Sequence, residues 1–120
     1  RVGAVVGPKQ IAVRAEVTIR ELRGLLAEAP ASTVLVVDQD NRLLGTIDSS
    51  SLEQAPAAAP TILRMRARTA IAETASVAEA VDCLVHSHSR SVAVVDKDDR
   101  AVGVLTDVEL LRWFARHGND

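Results

Sequence analysis

The chain has 120 residues, enough for one compact domain or for two small units that share a core. Apolar residues make up 48% of it, the globular level, and a net charge of −2 from 14 basic and 16 acidic residues excludes a generally basic nucleic-acid-binding surface. One Trp, one Phe and no Tyr leave almost no stacking platform for single-stranded nucleic acid and predict an aliphatic core.

In chain order, Gly3-Ala-Val-Val-Gly7-Pro8-Lys9 fails as a phosphate-binding loop, because its glycines stand too close together and no Ser or Thr follows Lys9; it is expected to be a turn. Ile11 to Val13 predicts a short strand. Thr18-x-x-Glu21 is a capping box opening a helix from Ile19 to about Ala29, with Leu22, Leu25, Leu26 and Ala29 on its apolar face and Pro30 closing it. Val34 to Val37 is a β-branched run without alternation, expected to be a strand covered on both faces. DQDN is a polar turn of hairpin length, Leu43 to Ile47 a return strand, and Ser49 to Gln54 a short helix. EQAPAAAPT, from Glu53 to Thr61, is a semi-rigid connector.

The pattern then starts again. Thr69 to Ala72 predicts a strand, and Ser76-x-x-Glu79 a second capping box. The helix that follows runs from Val77 to about Ser87, with Val77, Val81, Leu84 and Val85 inward. Val92 to Val95, the turn DKDD, Ala101 to Leu105 and a helix over Asp107 to His117 complete it. TVLVVDQDNRLLG aligns with SVAVVDKDDRAVG at an offset of 58, which holds without a gap from 18–52 to 76–110 with ten identities in 35 positions. About two or three would arise by chance, so the chain is a tandem duplication. The expected organisation is a first repeat over 1–55, a Pro/Ala linker over 56–61 and a second repeat over 62–120. Neither copy buries much core alone, so the two should pack together with approximate two-fold symmetry.

Strand–helix–strand–turn–strand–helix, with VVD, an acidic turn, then Gly shortly before a Thr or Asp at a helix start, resembles the cystathionine-β-synthase-type (CBS) domain. Two in tandem resemble a Bateman module, an α/β fold in which each repeat is β-α-β-β-α. The resemblance covers almost the whole chain. It implies a regulatory rather than catalytic module, binding an adenosine-containing nucleotide such as AMP, ATP or cyclic di-AMP between the repeats and requiring no cofactor, with homodimers common. In the family pattern a Thr or Ser, then two residues, then Asp meets ribose hydroxyls after the last strand. Thr106 and Glu109 stand there in the second copy, Asp48 and Ser51 in the first, with hydroxyl and carboxylate exchanged. By the same resemblance Ala93, where a proline is usual, and Ile71 line the ligand. The proline's counterpart in the first copy is Leu35. The stretch AVVDKDDRAVGVLTDVELLRWFARHG and GTIDSSSL are also similar to the CBS tail of ATP-binding subunits of glycine betaine/proline-type osmoprotectant ABC transporters. That similarity implies an attached ATPase effector and a cytoplasmic place beside the membrane. The start at Arg1 rather than Met fits an excised piece.

Several features have a plainer meaning as well. Thr106 and Glu109 also spell a capping box, complete without a ligand, while a hydroxyl and a carboxylate three apart on one face can take a ribose diol. Arg64, Arg66 and Arg68 alternate with apolar residues, which in a strand makes either a solvated edge or an anion-facing stripe. Cys83, His86 and His88 lack a second Cys to complete a zinc set, and Cys83 aligns with Leu25, a core position. No metal site is expected, and no nucleophile–base pair or paired carboxylates mark an enzyme. A single Cys forms no internal disulfide, and runs such as VLVV are too short to span a bilayer, so no direct membrane insertion is expected. Trp113 and Phe114 are adjacent on a helix, so they point apart by about 100°. One is expected in the core. The other serves a dimer or partner contact, or both pack within the chain.

Overall fold

The computed structural model describes residues 2–4, 11–66 and 68–117; most of the turn expected at 3–9 lies outside them. The first sheet takes strands β1 (Ala12–Arg14), β2 (Thr33–Val37) and β3 (Leu43–Asp48) in that order, β1 parallel and β3 antiparallel to the central β2. Helix α1 (Ile19–Glu28) makes the crossover between the parallel pair. The second sheet repeats this with β4 (Ala70–Ala72), helix α2 (Val77–Ser87), β5 (Ser91–Val95) and β6 (Ala101–Thr106), and helix α3 (Asp107–His117) follows. A parallel pair needs such a crossover, which is why the capping boxes fall between the strands. The unalternating runs are the central strands: β2 and β5 are each buried at four consecutive positions.

The hairpins explain part of the internal repeat. Asp38 Oδ1 accepts from the N–H groups of Asp40 (2.8 Å) and Arg42 (2.9 Å), and Asp96 Oδ1 accepts from those of Asp98 (2.8 Å) and Arg100 (3.0 Å). Asn41 and Asp99 take φ of 64° and 68°, a left-handed conformation that Asn and Asp tolerate better than most residues. The register shifts at Val36/Val37 and at Val94/Val95 beside these turns. The Asp identities at 38 and 96 therefore have a conformational cause.

The compact units run differently from the repeats. Residues 2–4 group with 69–117, while 11–66 and 68 form the other unit. A 3-10 helix at Val2–Ala4 sends the Val2 N–H to the Ala75 carbonyl (2.9 Å), and Val2 is fully buried in a core with Ala80, Leu84, Val92, Val94, Leu105 and Leu110. A 3-10 helix at Thr61–Arg64 does the same on the first unit, where the Thr61 N–H donates to the Val17 carbonyl (2.8 Å). Val17 and Ala75 are equivalent at the repeat offset, so Thr61 holds the place that Val2 holds in the second unit.

The connector is thus a strap on the first unit. It closes the start of α1, where the Ile19 and Arg20 N–H groups donate to the carbonyls of Ala59 and Ala57, each at 2.9 Å, and those of Glu21 and Leu22 donate to Thr18. The first three helical amides, which a helix start leaves without an intrahelical partner, are thus satisfied, and Leu22 makes the first regular turn of the helix. Arg23 donates to the carbonyls of Leu52 and Ala55 (2.8 Å to the latter) where the 3-10 helix Ser49–Leu52 ends. At the far end the Arg66 N–H donates to the Thr46 carbonyl (2.7 Å), and the strap passes so close to Gly45 that a Cβ there would lie 2.6 Å from the Arg66 carbonyl oxygen and from Met65 Cγ.

Two helical faces differ from expectation. The buried residues of α1 are Ile19 and Leu22, with Leu26 packed beside them, whereas Leu25 is 45% exposed. In α2 they are Ala80 and Leu84, with Val77, Val81 and Cys83 packed against them, whereas Val85 is 63% exposed. In both helices the sheet meets a narrower stripe than the apolar residues span.

Thr61 is fully buried, and its Oγ1 has no hydrogen-bond partner among the described residues. Leaving a hydroxyl unpaired in an interior costs about 1–3 kcal/mol. Thr61→Val, which copies the residue at the equivalent place, is expected to raise stability by about 1 kcal/mol, or about 4 °C in Tm. Thermal and urea unfolding check it; a loss of stability would mean that the hydroxyl has a partner.

Candidate functional site

The last strand of each unit ends where a helical segment starts, and the polar residues singled out in the sequence stand at these two ends. In the second unit Thr106 closes β6, opposite Ser91, and caps α3. Its Oγ1 accepts from the Glu109 N–H (3.2 Å), while Glu109 Oε1 accepts both from the Thr106 N–H and from its hydroxyl, each at 2.9 Å. The capping box is closed in both directions, and both residues are half-buried. The plain meaning of T-x-x-E is realised in full. The hydroxyl and the carboxylate also stand together on one face, as they do in the Thr18–Glu21 box at the start of α1.

In the first unit Asp48 occupies the Thr106 position and caps the 3-10 helix Ser49–Leu52. Its Oδ1 accepts from the Ser50 N–H (3.1 Å) and the Ser50 hydroxyl (2.9 Å), and the Ser51 hydroxyl donates to the Asp48 carbonyl (2.7 Å). Ser50 was missed in the sequence, although an Asp two residues before a Ser at a turn is the signal of such a bond. The Asp48 carboxylate and the Ser51 hydroxyl are not bonded to each other, so this end is not a copy of the Thr106–Glu109 pair.

The apolar residues of the expected site are largely covered. Ala93 lies in the central strand at 2% exposure, registered between Ala70 and Val104, and Ile71 pairs with Val94 while packing against the second core. The chemistry at the start of α3 is that of an acceptor. Asp107 and Glu109 lie in its first turn, and Asp107 Oδ1 takes the Val108 N–H (2.8 Å). These carboxylates offset the positive end of the helix, so this end favours hydroxyl or amino donors over a bare phosphate.

The remaining candidates are dispersed. Arg64 ends a 3-10 helix, the Arg66 backbone bridges Thr46, and Arg68 Nη1 donates to the Leu43 carbonyl (3.1 Å), so the expected strand carrying three guanidiniums does not form at Arg64. His86 Nδ1 is 2.7 Å from the Asp82 carbonyl oxygen, His88 is the left-handed C-cap of α2, and Cys83 packs on the core. Among the described residues no group of three His, Cys, Asp or Glu can hold a metal ion, and no helix is long and apolar enough to cross a membrane. Trp113 packs against the second core and stacks on His117 (4.5 Å, 17°), while Phe114 meets it edge-on at 5.3 Å and is 39% exposed.

Comparison with known proteins finds one family twice in the chain. The CBS domain model matches residues 2–57 and again 64–116. No curated protein matches the chain. Among solved structures, the cytosolic domain of the Mg2+ channel MgtE in complex with ATP is similar at a TM-score of 0.83 and 22% identity over 90% of this chain, which spans 46% of that one. CBSX2 in complex with AMP is similar at 0.83 and 18% identity, covering 97% of this chain and 96% of that one. Staphylococcus aureus OpuCA is similar at 0.81 and 24% identity, covering 98% and 99%. At these identities the likeness is one of fold.

Replacing Thr106 by Ala removes both the acceptor for the Glu109 N–H and the donor to its carboxylate. It is expected to lower the stability of the chain by about 1 kcal/mol, with Thr106→Ser close to wild type. Urea unfolding checks this, and an Ala variant as stable as the Ser variant would show that the box contributes nothing.

Proposed function

The chain belongs to the CBS-domain family, and from that premise we propose that it is a regulatory, non-catalytic module that binds an adenosine-containing nucleotide through Thr106 and Glu109. The observation that carries this reading is the half-buried hydroxyl–carboxylate pair at the start of α3. Ribose presents two adjacent hydroxyls, and a carboxylate beside a threonine hydroxyl accepts from one and exchanges bonds with the other. Ile71, which is half-buried, is proposed to line the base, whereas Ala93, at 2% exposure, has no surface to offer it. ATP and AMP in the similar MgtE and CBSX2 structures support the ligand class. Asp48 and Ser51 would form the weaker site, because there the carboxylate is turned to Ser50. The effector reading is an attached ABC transporter ATPase on the cytoplasmic side. It rests on the resemblance of the last strand and helix to osmoprotectant transporter tails, with OpuCA among the similar folds. A nucleotide can regulate that effector only by binding one arrangement of the module more tightly than another.

A second reading, homodimerisation, has its own observation. Val108, Leu111 and Phe114 lie three apart along α3 and are 49%, 68% and 39% exposed. Apolar side chains in such a row favour a partner surface.

Titration calorimetry with AMP, ATP and cyclic di-AMP is expected to show binding that Thr106→Ala weakens about tenfold, while Ser51→Ala changes it less than twofold. Absence of heat at millimolar nucleotide with folded protein would sink the nucleotide reading. Light scattering is expected to give a concentration-dependent mass that Leu111→Lys reduces to that of the monomer; a monomer at every concentration would remove the dimer.

A further inference from the structure

The strap over 57–66 holds the first unit by backbone more than by side chains. The Ile19 and Arg20 N–H groups donate to the carbonyls of Ala59 and Ala57, the Thr61 N–H donates to that of Val17, and the Arg66 N–H to that of Thr46. The apolar attachment is small. Ala59 and Met65 pack partly against the first core, whereas Ile62 and Leu63 are 42% and 68% exposed. Thr61 is the residue that the strap buries completely, and its hydroxyl has no partner among the described residues. At the equivalent point the second unit buries Val2, which carries no such cost. Side chains hold the chain on either side of the strap: Arg23 donates to the carbonyls of Leu52 and Ala55, and Arg68 to that of Leu43.

We propose that 57–66 is a releasable clasp: it opens as one piece while the core of the first unit stays folded, and the unpaired Thr61 hydroxyl sets how readily it opens. Segments that open below the free energy of global unfolding are those with few buried apolar contacts, and opening returns this hydroxyl to water. Release uncovers the N–H groups of Ile19 and Arg20 and the Thr46 carbonyl on the outer edge of β3. It also changes the junction between the units. With the clasp docked, the first unit ends at Arg68 and the second resumes at Thr69. Released, the clasp adds ten residues of free chain there, with the Arg68 bond to the Leu43 carbonyl left beyond it. The clasp is independent of the nucleotide reading, since neither Thr106 nor Glu109 belongs to the first unit.

The experiment is native-state amide hydrogen exchange, followed by NMR on the full chain, for wild type and Thr61→Val. In wild type the amides of Ile19, Arg20, Thr61 and Arg66 are expected to share one protection factor, at least about tenfold below that of the Leu35 amide in the central strand. Thr61→Val is expected to slow all four together by about fivefold, the worth of a hydroxyl that no longer has to be buried unpaired. Trypsin reads the same opening independently, because Arg64 and Arg66 lie at the far end of the clasp. Cleavage after them is expected to slow by the same factor in Thr61→Val. Four amides as protected as Leu35 would overturn the clasp, as would four unrelated protection factors. Exchange or cleavage that Thr61→Val leaves unchanged or speeds would overturn it too.

Discussion

Two backbone hydrogen bonds determine how this chain is divided: the Thr61 N–H to the Val17 carbonyl, and the Val2 N–H to the Ala75 carbonyl. A three-stranded sheet with one crossover helix leaves part of its apolar interior uncovered, and at this size little core remains to compensate. Each unit is completed by a 3-10 helix that sequence order assigns elsewhere. In the second unit this puts Val2 into the core. In the first it places Thr61 at the equivalent point and brings Ala57 and Ala59 over the open amides of α1. The close approach at Gly45 and the reach of Arg23 to Leu52 and Ala55 belong to the same docking.

The duplication separates what the fold needs from what a ligand can use. Asp38 and Asp96 build identical turns, and the central strands bury the same run of positions. These are shared because backbone geometry demands them. The two ends after β3 and β6 need only a helix cap, and Asp48 and Thr106 satisfy that need by different bonds. Capping leaves the placement of hydroxyl and carboxylate open, and here the two copies diverge.

Strands, helices and hairpins were legible because each has a local cause: β-branched runs, capping boxes and Asp-led turns. The Thr106–Glu109 pair was legible for the same reason, its partners being three residues apart. The rest depends on long-range approach. Nothing near Thr61 marks it as interior, since its surroundings of Ala and Pro have the composition of a connector. Arg23 looks like a solvated charge until the chain beyond Leu52 returns to it. Leu25 and Val85 belong to apolar periodicities as good as those of Leu22 and Leu84, and only the width of the sheet decides which of them is covered. The Arg64–Arg66–Arg68 alternation predicted a strand, but docking the strap at Thr61 imposed a 3-10 turn through Arg64.

The two units differ in how much sequence their cores must close over. The unit containing 11–66 is continuous, so every contact in its core lies within one stretch of chain. The other unit joins Val2, which precedes that stretch, to 69–117, which follow it. Closing it requires a loop that encloses the whole of the first unit, at an entropic cost that collapses once that unit has become compact. The copy that carries Thr106 and Glu109 is therefore the one whose core closes over the longer span of sequence.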